Sequence, residues 1–410
     1  MATLAESPQP EKGAPLPPSS TVFNRELVPL SLAFFLLAAS GYSIQQFVIP
    51  WWQEQRGFSA AQASSLLAAA YGAMAIARAR ASLLLKLLGG YELLIGGMLV
   101  NLLWVIAAFT VTSYAGLFVA SCLWGAFAGV QWVASGSLVT ETVTADKRGA
   151  ASGYFFLHHF GGLALGVFGF GWLLGRWGIE VAALTTAFVC ASATFVALLA
   201  PIRQLRPVAV SLKTVFAQFH EAKLKMAAVA LFVGSLGLGA VFGPFSTLVA
   251  DRFGLALLGS IIVGFHVGRL AFSLIVGRLS DLFGREVVLS TGFLLAACGM
   301  ALASQQQVAW TVVVAAVGLG IAHSVSNVIA TALAGDVATP ELKVQTMSGL
   351  WVFQDLAVVL SVLGGQWLKS WSGGFALPFG ITAAIFAATG LVALLFARSR
   401  FAKGKGACES

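Results

Sequence analysis

Apolar residues run along this chain in long blocks separated by short polar stretches, with neither the alternation of a half-buried strand nor the one-sided stripe of a surface helix. A block of about 18 or more apolar residues forms a helix long enough to cross roughly 30 Å of hydrocarbon. Twelve blocks qualify. Six lie at 28–50, 62–85, 93–112, 116–140, 150–174 and 180–201, and six at 226–250, 256–278, 287–304, 308–334, 346–369 and 374–396. A closed barrel also satisfies the backbone in lipid, but it is built from short alternating segments that this sequence does not contain. The pattern predicts an all-α integral membrane protein with twelve transmembrane helices.

Composition strengthens this reading. Hydrophobic residues make up 58% of the chain and charged residues 10%, against roughly 25% charged in soluble domains. Residues 1–24 are rich in Pro, Ser, Ala and Glu, have no apolar core, and read as a disordered tail rather than a signal peptide. The longest polar stretch between spans, 202–225, holds Arg203, Arg206, Lys213, Lys223 and Lys225 against Glu221. It reads as a linker between an N-terminal half (25–201) and a C-terminal half (226–397), followed by a basic tail at 398–410. Cys408 has two residues after it and so makes no prenylation box. The other cysteines (Cys122, Cys190, Cys298) lie in apolar segments, far apart, and offer no disulfide framework, zinc spacing or cofactor site.

The net charge of +8 suggests nucleic acid until its placement is considered. With a cytoplasmic N-terminus, nineteen of the 24 Lys and Arg residues fall at cytoplasmic ends and loops. Arg56, Arg176, Arg252 and Lys369 fall outside, and Arg269 lies within a span. This positive-inside bias places both termini in the cytoplasm and removes the case for nucleic-acid binding.

The halves resemble each other at an offset of about 195 residues. Gly125 falls on Gly320, Val130 on Val325, Glu141 on Asp336, Thr144 on Thr339, Asp146 on Glu341, Arg148 on Lys343 and Gly89 on Gly284. Parallel duplication of six spans is a transporter plan, with solute bound near the midplane between halves.

After span eight comes Gly277-Arg278-Leu279-Ser280-Asp281-Leu282-Phe283-Gly284-Arg285. This resembles the loop signature of the major facilitator superfamily, and the resemblance extends over about residues 25–397. It implies two six-helix halves related by a pseudo-two-fold axis and a gating motif made by Gly277, Asp281, Gly284 and Arg285. Asp281 is expected to latch onto a neighbouring helix N-terminus and an arginine. Glu141 and Asp336 are expected to pair with basic residues of adjoining loops. The first-half copy is degraded, with Ser82, Lys86, Gly89 and Gly90 at the matching positions. The stretches Asp146–Gly153 and Glu341–Gly349 resemble the family's loops after spans four and ten. Ser121 stands where many proton-driven members carry arginine, and Val167 where the antiporter signature has proline. Both departures point away from a drug/proton antiporter.

Polar residues within spans are expensive, about 2.5–3.5 kcal/mol for a central charge, and so mark cavities or partners. Asp355 in span eleven is either a proton carrier or half of a structural ion pair. His158 and His159 in span five are candidates for proton relay, or for interhelical hydrogen bonds. Adjacent helical residues point about 100° apart, so only one should face a cavity squarely. Arg269, with His266 on the same face of span eight, suits an anionic solute, or else Asp355 of its own half as ion-pair partner. Arg78 and Arg80, nearer the inner surface, are expected to snorkel there. Tyr42, Gln45 and Gln46 of span one, Gln131 and Trp132 of span four, and His323, Ser326 and Asn327 of span ten offer polar and aromatic contacts. The resemblance places these spans around a central cavity. Gly237, Gly239, Gly243 and Pro244 predict a bent span seven.

The expectation is a secondary transporter moving a small organic solute by alternating access, weighted towards an organic anion. Proton coupling would run through Asp355, His158 or His159. An uncoupled facilitator and a drug or metabolite efflux antiporter are the alternatives, and a non-transporting scaffold or sensor is the reading from another class. No G-x-x-x-x-G-K or H-E-x-x-H motif suggests an enzyme. The protein is expected to act as a monomer, and its Ala-rich composition and short loops suit a bacterial inner membrane.

Overall fold

A computed structural model of the chain describes residues 19–201, 211–305, 308–338 and 342–406. Of the positions singled out above, Arg203, Arg206, Thr339, Glu341, Cys408 and residues 1–18 lie outside the described residues. Among the described residues the only β pairing is an isolated bridge from Ser19 to Val143.

Among the described residues, eleven helices are long and apolar enough to cross a membrane. One of them, Arg148–Leu199, has 52 residues and would extend about 78 Å at 1.5 Å per residue, too far for one crossing. Gly178 divides it, with φ 83° and ψ 177°, a backbone that L side chains rarely adopt. Spans five and six are therefore 148–177 and 179–199, and the chain makes twelve crossings. The remaining spans are Leu27–Arg56, Ala60–Ala79, Gly90–Thr110, Tyr114–Glu141, Ala222–Phe253, Leu255–Phe283, Arg285–Ser304, Ala309–Val337, Gln345–Ser372 and Ala376–Arg398. The helix of span seven starts at Ala222, inside the stretch assigned to the linker. The last helix continues to Gly406, so most of the basic tail extends span twelve.

The duplication is visible in backbone detail. Gly89 has φ 86°, ψ 149° and Gly284 has φ 87°, ψ 148°. A Cβ placed on Gly125 would collide with the carbonyl of Ala70, and one on Gly320 with the carbonyl of Phe265. Positions 70 and 265 keep the offset that relates the two glycines. Spans two and four thus cross at a glycine in the first half as spans eight and ten do in the second, and the absent side chains let the backbones touch.

Spans one and seven are irregular. Each contains a π turn, Ala38–Tyr42 and Val241–Phe245. Gly243 leaves helical geometry at φ −109°, ψ −105°, just before Pro244. Loosened carbonyls inside a membrane need partners, and hydroxyls provide them. Ser40 Oγ donates to Leu36 O at 2.7 Å, Ser43 Oγ to Ser40 O at 2.9 Å and Thr247 Oγ1 to Gly243 O at 3.0 Å. The expected bend in span seven is present, and both π turns adjoin the space between the halves.

The outer surface of the bundle is apolar, with Leu103, Leu184, Phe188, Phe195, Leu395 and Phe396 exposed. Exposed tryptophans pair at the end remote from the linker: Trp172 with Trp177 (4.8 Å between centroids) and Trp367 with Trp371 (6.2 Å). Such rings belong at a lipid–water boundary. At the linker end, a short helix (Leu212–Ala217) is capped by Ser211 Oγ, which accepts from Thr214 N. It lays Val215 and Phe219 on span eleven where Gly349 leaves room. A Cβ on Gly349 would lie 2.9 Å from the Phe219 ring.

Gly125→Ala and Gly320→Ala are expected to lower stability by at least about 1–3 kcal/mol, since the new methyl meets backbone that must move. Gly277→Ala, with nothing within 4 Å of the added atom, is expected to leave it unchanged. Denaturant titration in detergent measures the difference.

Candidate functional site: a cavity between the halves

The cavity is built from facing residues of both halves. Span one contributes Tyr42, Gln45 and Gln46; span two, Tyr71, Met74 and Arg78; span four, Trp132; and span five, Phe156, His159, Phe160 and Leu163. From the second half come Leu238 and Phe242 of span seven, His266 and Arg269 of span eight, Asn327 of span ten, and Trp351 and Gln354 of span eleven. The empty space among these side chains, counted out to its open side, is about 710 Å³.

An ion pair crosses the boundary between the halves. Arg78 Nη1 lies 2.8 Å from Asp355 Oδ1, with both side chains buried. Arg78 also donates to Trp351 O at 3.3 Å, and its guanidinium lies 5.3 Å from the centre of the Trp351 ring. Ser348 Oγ donates to the Arg78 carbonyl at 2.5 Å. Arg78 therefore does not snorkel to the surface. Its reach is taken up by span eleven, because an unpaired carboxylate and guanidinium would each cost more in lipid than the pair does. Asp355 pairs with the opposite half rather than with Arg269 of its own.

Arg269 is consequently left with no carboxylate within salt-bridge range among the described residues. Its guanidinium sits 4.2 Å from the centre of the Phe160 ring across the boundary, and its buried Nε has no protein partner. His266, one turn earlier, faces Gln46 of the first half at 3.1 Å between Nε2 atoms. With the Gln46 amide turned NH2-first towards the ring, Nε2 of His266 accepts and the ring proton sits on Nδ1. That Nδ1 is buried and unpartnered as well.

Aromatic rings form the wall on the first-half side. His159 stands edge-on to Trp132 at 4.6 Å, Tyr42 lies 5.8 Å from Trp132, and Trp132 reaches Trp351 of the other half at 6.5 Å. Tyr71 donates to Gln45 Oε1 at 2.6 Å and packs 5.8 Å from Phe242. Asn327 donates to Gln354 Oε1 at 3.5 Å.

Several expected residues lie elsewhere. His158 turns away from the cavity, its Nδ1 2.8 Å from Tyr154 O and its ring 4.3 Å from Tyr154. The 100° step between neighbours leaves only His159 facing inward. Gln131 sits behind Tyr42, where its Oε1 accepts from Asn101 at 3.2 Å and from the Tyr42 hydroxyl at 3.4 Å. Trp124 Nε1 donates to Asn101 Oδ1 at 2.6 Å and closes this chain. Gln131 thus orients Tyr42 rather than touching the cavity. His323 is fully buried in the second half near Phe265 and does not line the space. At the loop motif, Arg285 pairs with Asp336 at 2.5 Å. Asp281 is exposed and forms no hydrogen bond or ion pair among the described residues, so the ion pair at this motif is made by Arg285 rather than by Asp281. Glu141, also exposed, lies at the first-half position matching Asp336. Gly277 and Gly284 frame the turn, and only Gly284 requires a positive φ.

The cavity residues least visible in the sequence were Tyr71, Met74 and Arg78. Their i, i+3, i+7 spacing on an Ala-rich helix marks one face and was the available signal.

Comparison with known proteins accords with this architecture. The family model described as Major Facilitator Superfamily matches residues 30–258 and 227–407. No curated protein matches. A solved POT family transporter in complex with 5-aminolevulinic acid is 14% identical, with TM-score 0.75, covering 93% of this chain and 98% of that one. A mutant form of the nucleoside transporter NupG is 12% identical, with TM-score 0.72, covering 92% and 100%.

Replacing Asp355 by Ala leaves the Arg78 guanidinium buried without a counter-charge, at an expected cost of about 3–5 kcal/mol. The double replacement Arg78→Leu with Asp355→Leu is expected to cost less than either single one. A double-mutant cycle of unfolding free energies checks this. The fold, the duplicated halves and the matched family together place the chain in the Major Facilitator Superfamily, a family of membrane transporters.

Proposed function

We propose that this protein moves a small organic anion across the membrane by alternating access, with both termini on the cytoplasmic side of a bacterial inner membrane. The observation that carries the reading is Arg269, a guanidinium lining the cavity with no carboxylate partner while the nearby acid, Asp355, is engaged by Arg78. A permanently charged guanidinium in a low-dielectric cavity is a standing demand for negative charge. Arg269 and His266, one turn apart on span eight and both lining the cavity, offer unpartnered polar groups that suit an oxyanion.

The same arrangement supplies a route for coupling. Rocking the halves requires spans two and eleven to separate, and the Arg78–Asp355 pair opposes that. A proton on Asp355 removes the attraction, so proton arrival favours separation. His159 faces the same cavity and is the second group placed to exchange protons with it. His158 and His323 have no place in this route.

Thermal stabilisation of the purified protein by a panel of organic acids, sugars, nucleosides and lipophilic cations tests the reading. A ligand at about a hundred times its dissociation constant adds about 2.7 kcal/mol of stability. Organic anions are expected to stabilise the wild type and not Arg269→Ala. Stabilisation by neutral solutes or cations alone overturns the proposal. In proteoliposomes, Asp355→Asn is expected to keep anion exchange and lose accumulation driven by a pH gradient. Retained accumulation would exclude Asp355 as the coupling group.

A further inference from the structure

Building on the anion reading, we propose that the cavity selects a planar aromatic monocarboxylate. At one pole, Arg269 Nε–H and His266 Nδ1–H lie one turn apart on span eight, both buried and both without a protein partner. Two donors on one helical face match the two oxygens of a carboxylate. The face of the guanidinium is already covered by Phe160 at 4.2 Å, so its edge is what remains for a ligand.

Much of the remaining lining is aromatic. Trp132 and Trp351 meet at 73° with centroids 6.5 Å apart, and His159 meets Trp132 at 89°. These rings present faces and edges to the cavity, against which another aromatic ring packs in the offset and edge-to-face geometries that the ring quadrupole favours. A saturated ring of similar size is thicker and lacks the quadrupole that such packing uses.

The polar groups exclude the main competing classes. Sugars need many free donors and acceptors, whereas Gln45 Oε1 accepts from Tyr71 and Asn327 donates to Gln354. That leaves Gln46 Oε1 and His159 Nδ1 as the buried unpartnered cavity atoms besides those of Arg78, Arg269 and His266. Amino acids and peptides carry an ammonium group that needs a free carboxylate. No acidic residue lines the cavity among the described residues. A dicarboxylate would need a second free cation, and Arg78 is committed to Asp355. A single carboxylate on a flat apolar body satisfies all of these constraints.

The test is calorimetric titration of the purified full chain with benzoate, cyclohexanecarboxylate and benzamide. Benzoate is expected to bind at least tenfold more tightly than cyclohexanecarboxylate, and benzamide not to bind. Trp132→Leu is expected to bring the two carboxylates to equal affinity, and Arg269→Ala to abolish both. Trp351→Leu repeats the Trp132 test if that variant does not fold. Equal affinity of the two carboxylates for the wild type overturns the aromatic inference and leaves the anion reading standing. Benzamide binding as tightly as benzoate overturns the anion reading itself. Absence of benzoate binding overturns the aromatic inference, while the anion reading then rests on the aliphatic acids of the panel.

Discussion

The ion pair between Arg78 and Asp355 is the buried charge contact that ties the two halves together near the linker end. Each half packs internally through glycine-mediated helix crossings, and spans five and eight of opposite halves also approach closely at Gly171 and Gly259. What joins the halves near the linker end is a buried charge pair, strengthened by Ser348 on the Arg78 carbonyl and Trp351 against its guanidinium. In a medium where neither charge is tolerable alone, such a pair acts as a fastener with two states, closed or exchanged for other partners. It also determines the charge of the cavity. By engaging Asp355, it leaves Arg269 as the cavity cation with no carboxylate partner among the described residues, and so fixes where the positive charge lies.

Much of the architecture was legible in the sequence because the bilayer imposes length and polarity on every span. The offset of 195 residues identified the duplication, and the matched backbone angles of Gly89 and Gly284 are its structural trace. The turn persists in the first half although Lys86 and Gly90 replace the acid and the arginine of the motif. A positive φ demands glycine whatever the surrounding charges do, so backbone geometry outlasts the electrostatic part of the signature.

What the sequence concealed were pairings across the halves. Arg78 and Asp355 are 277 positions apart, and no periodicity connects them. Hydropathy alone put Arg78 near a surface, and proximity in sequence favoured Arg269 as the partner of Asp355. Similarly, period could say that one of His158 and His159 faces inward but not which. That depends on the ring of Trp132, against which only His159 packs. Gln131 shows the same limit, because its depth in span four was evident while its place behind Tyr42 follows from Asn101 on span three.

The most direct measurement of the central claim is the distance between the halves at the linker end. Leu87 and Leu282 are both exposed there, one on each half. Spin labels at Leu87→Cys and Leu282→Cys in a background lacking the native cysteines report that distance by pulsed electron resonance in lipid. If the Arg78–Asp355 pair fastens the halves, the wild type gives one dominant short distance, and Asp355→Asn shifts population to a longer one. Identical distributions in the two proteins would show that the halves are held by other means and would contradict the account.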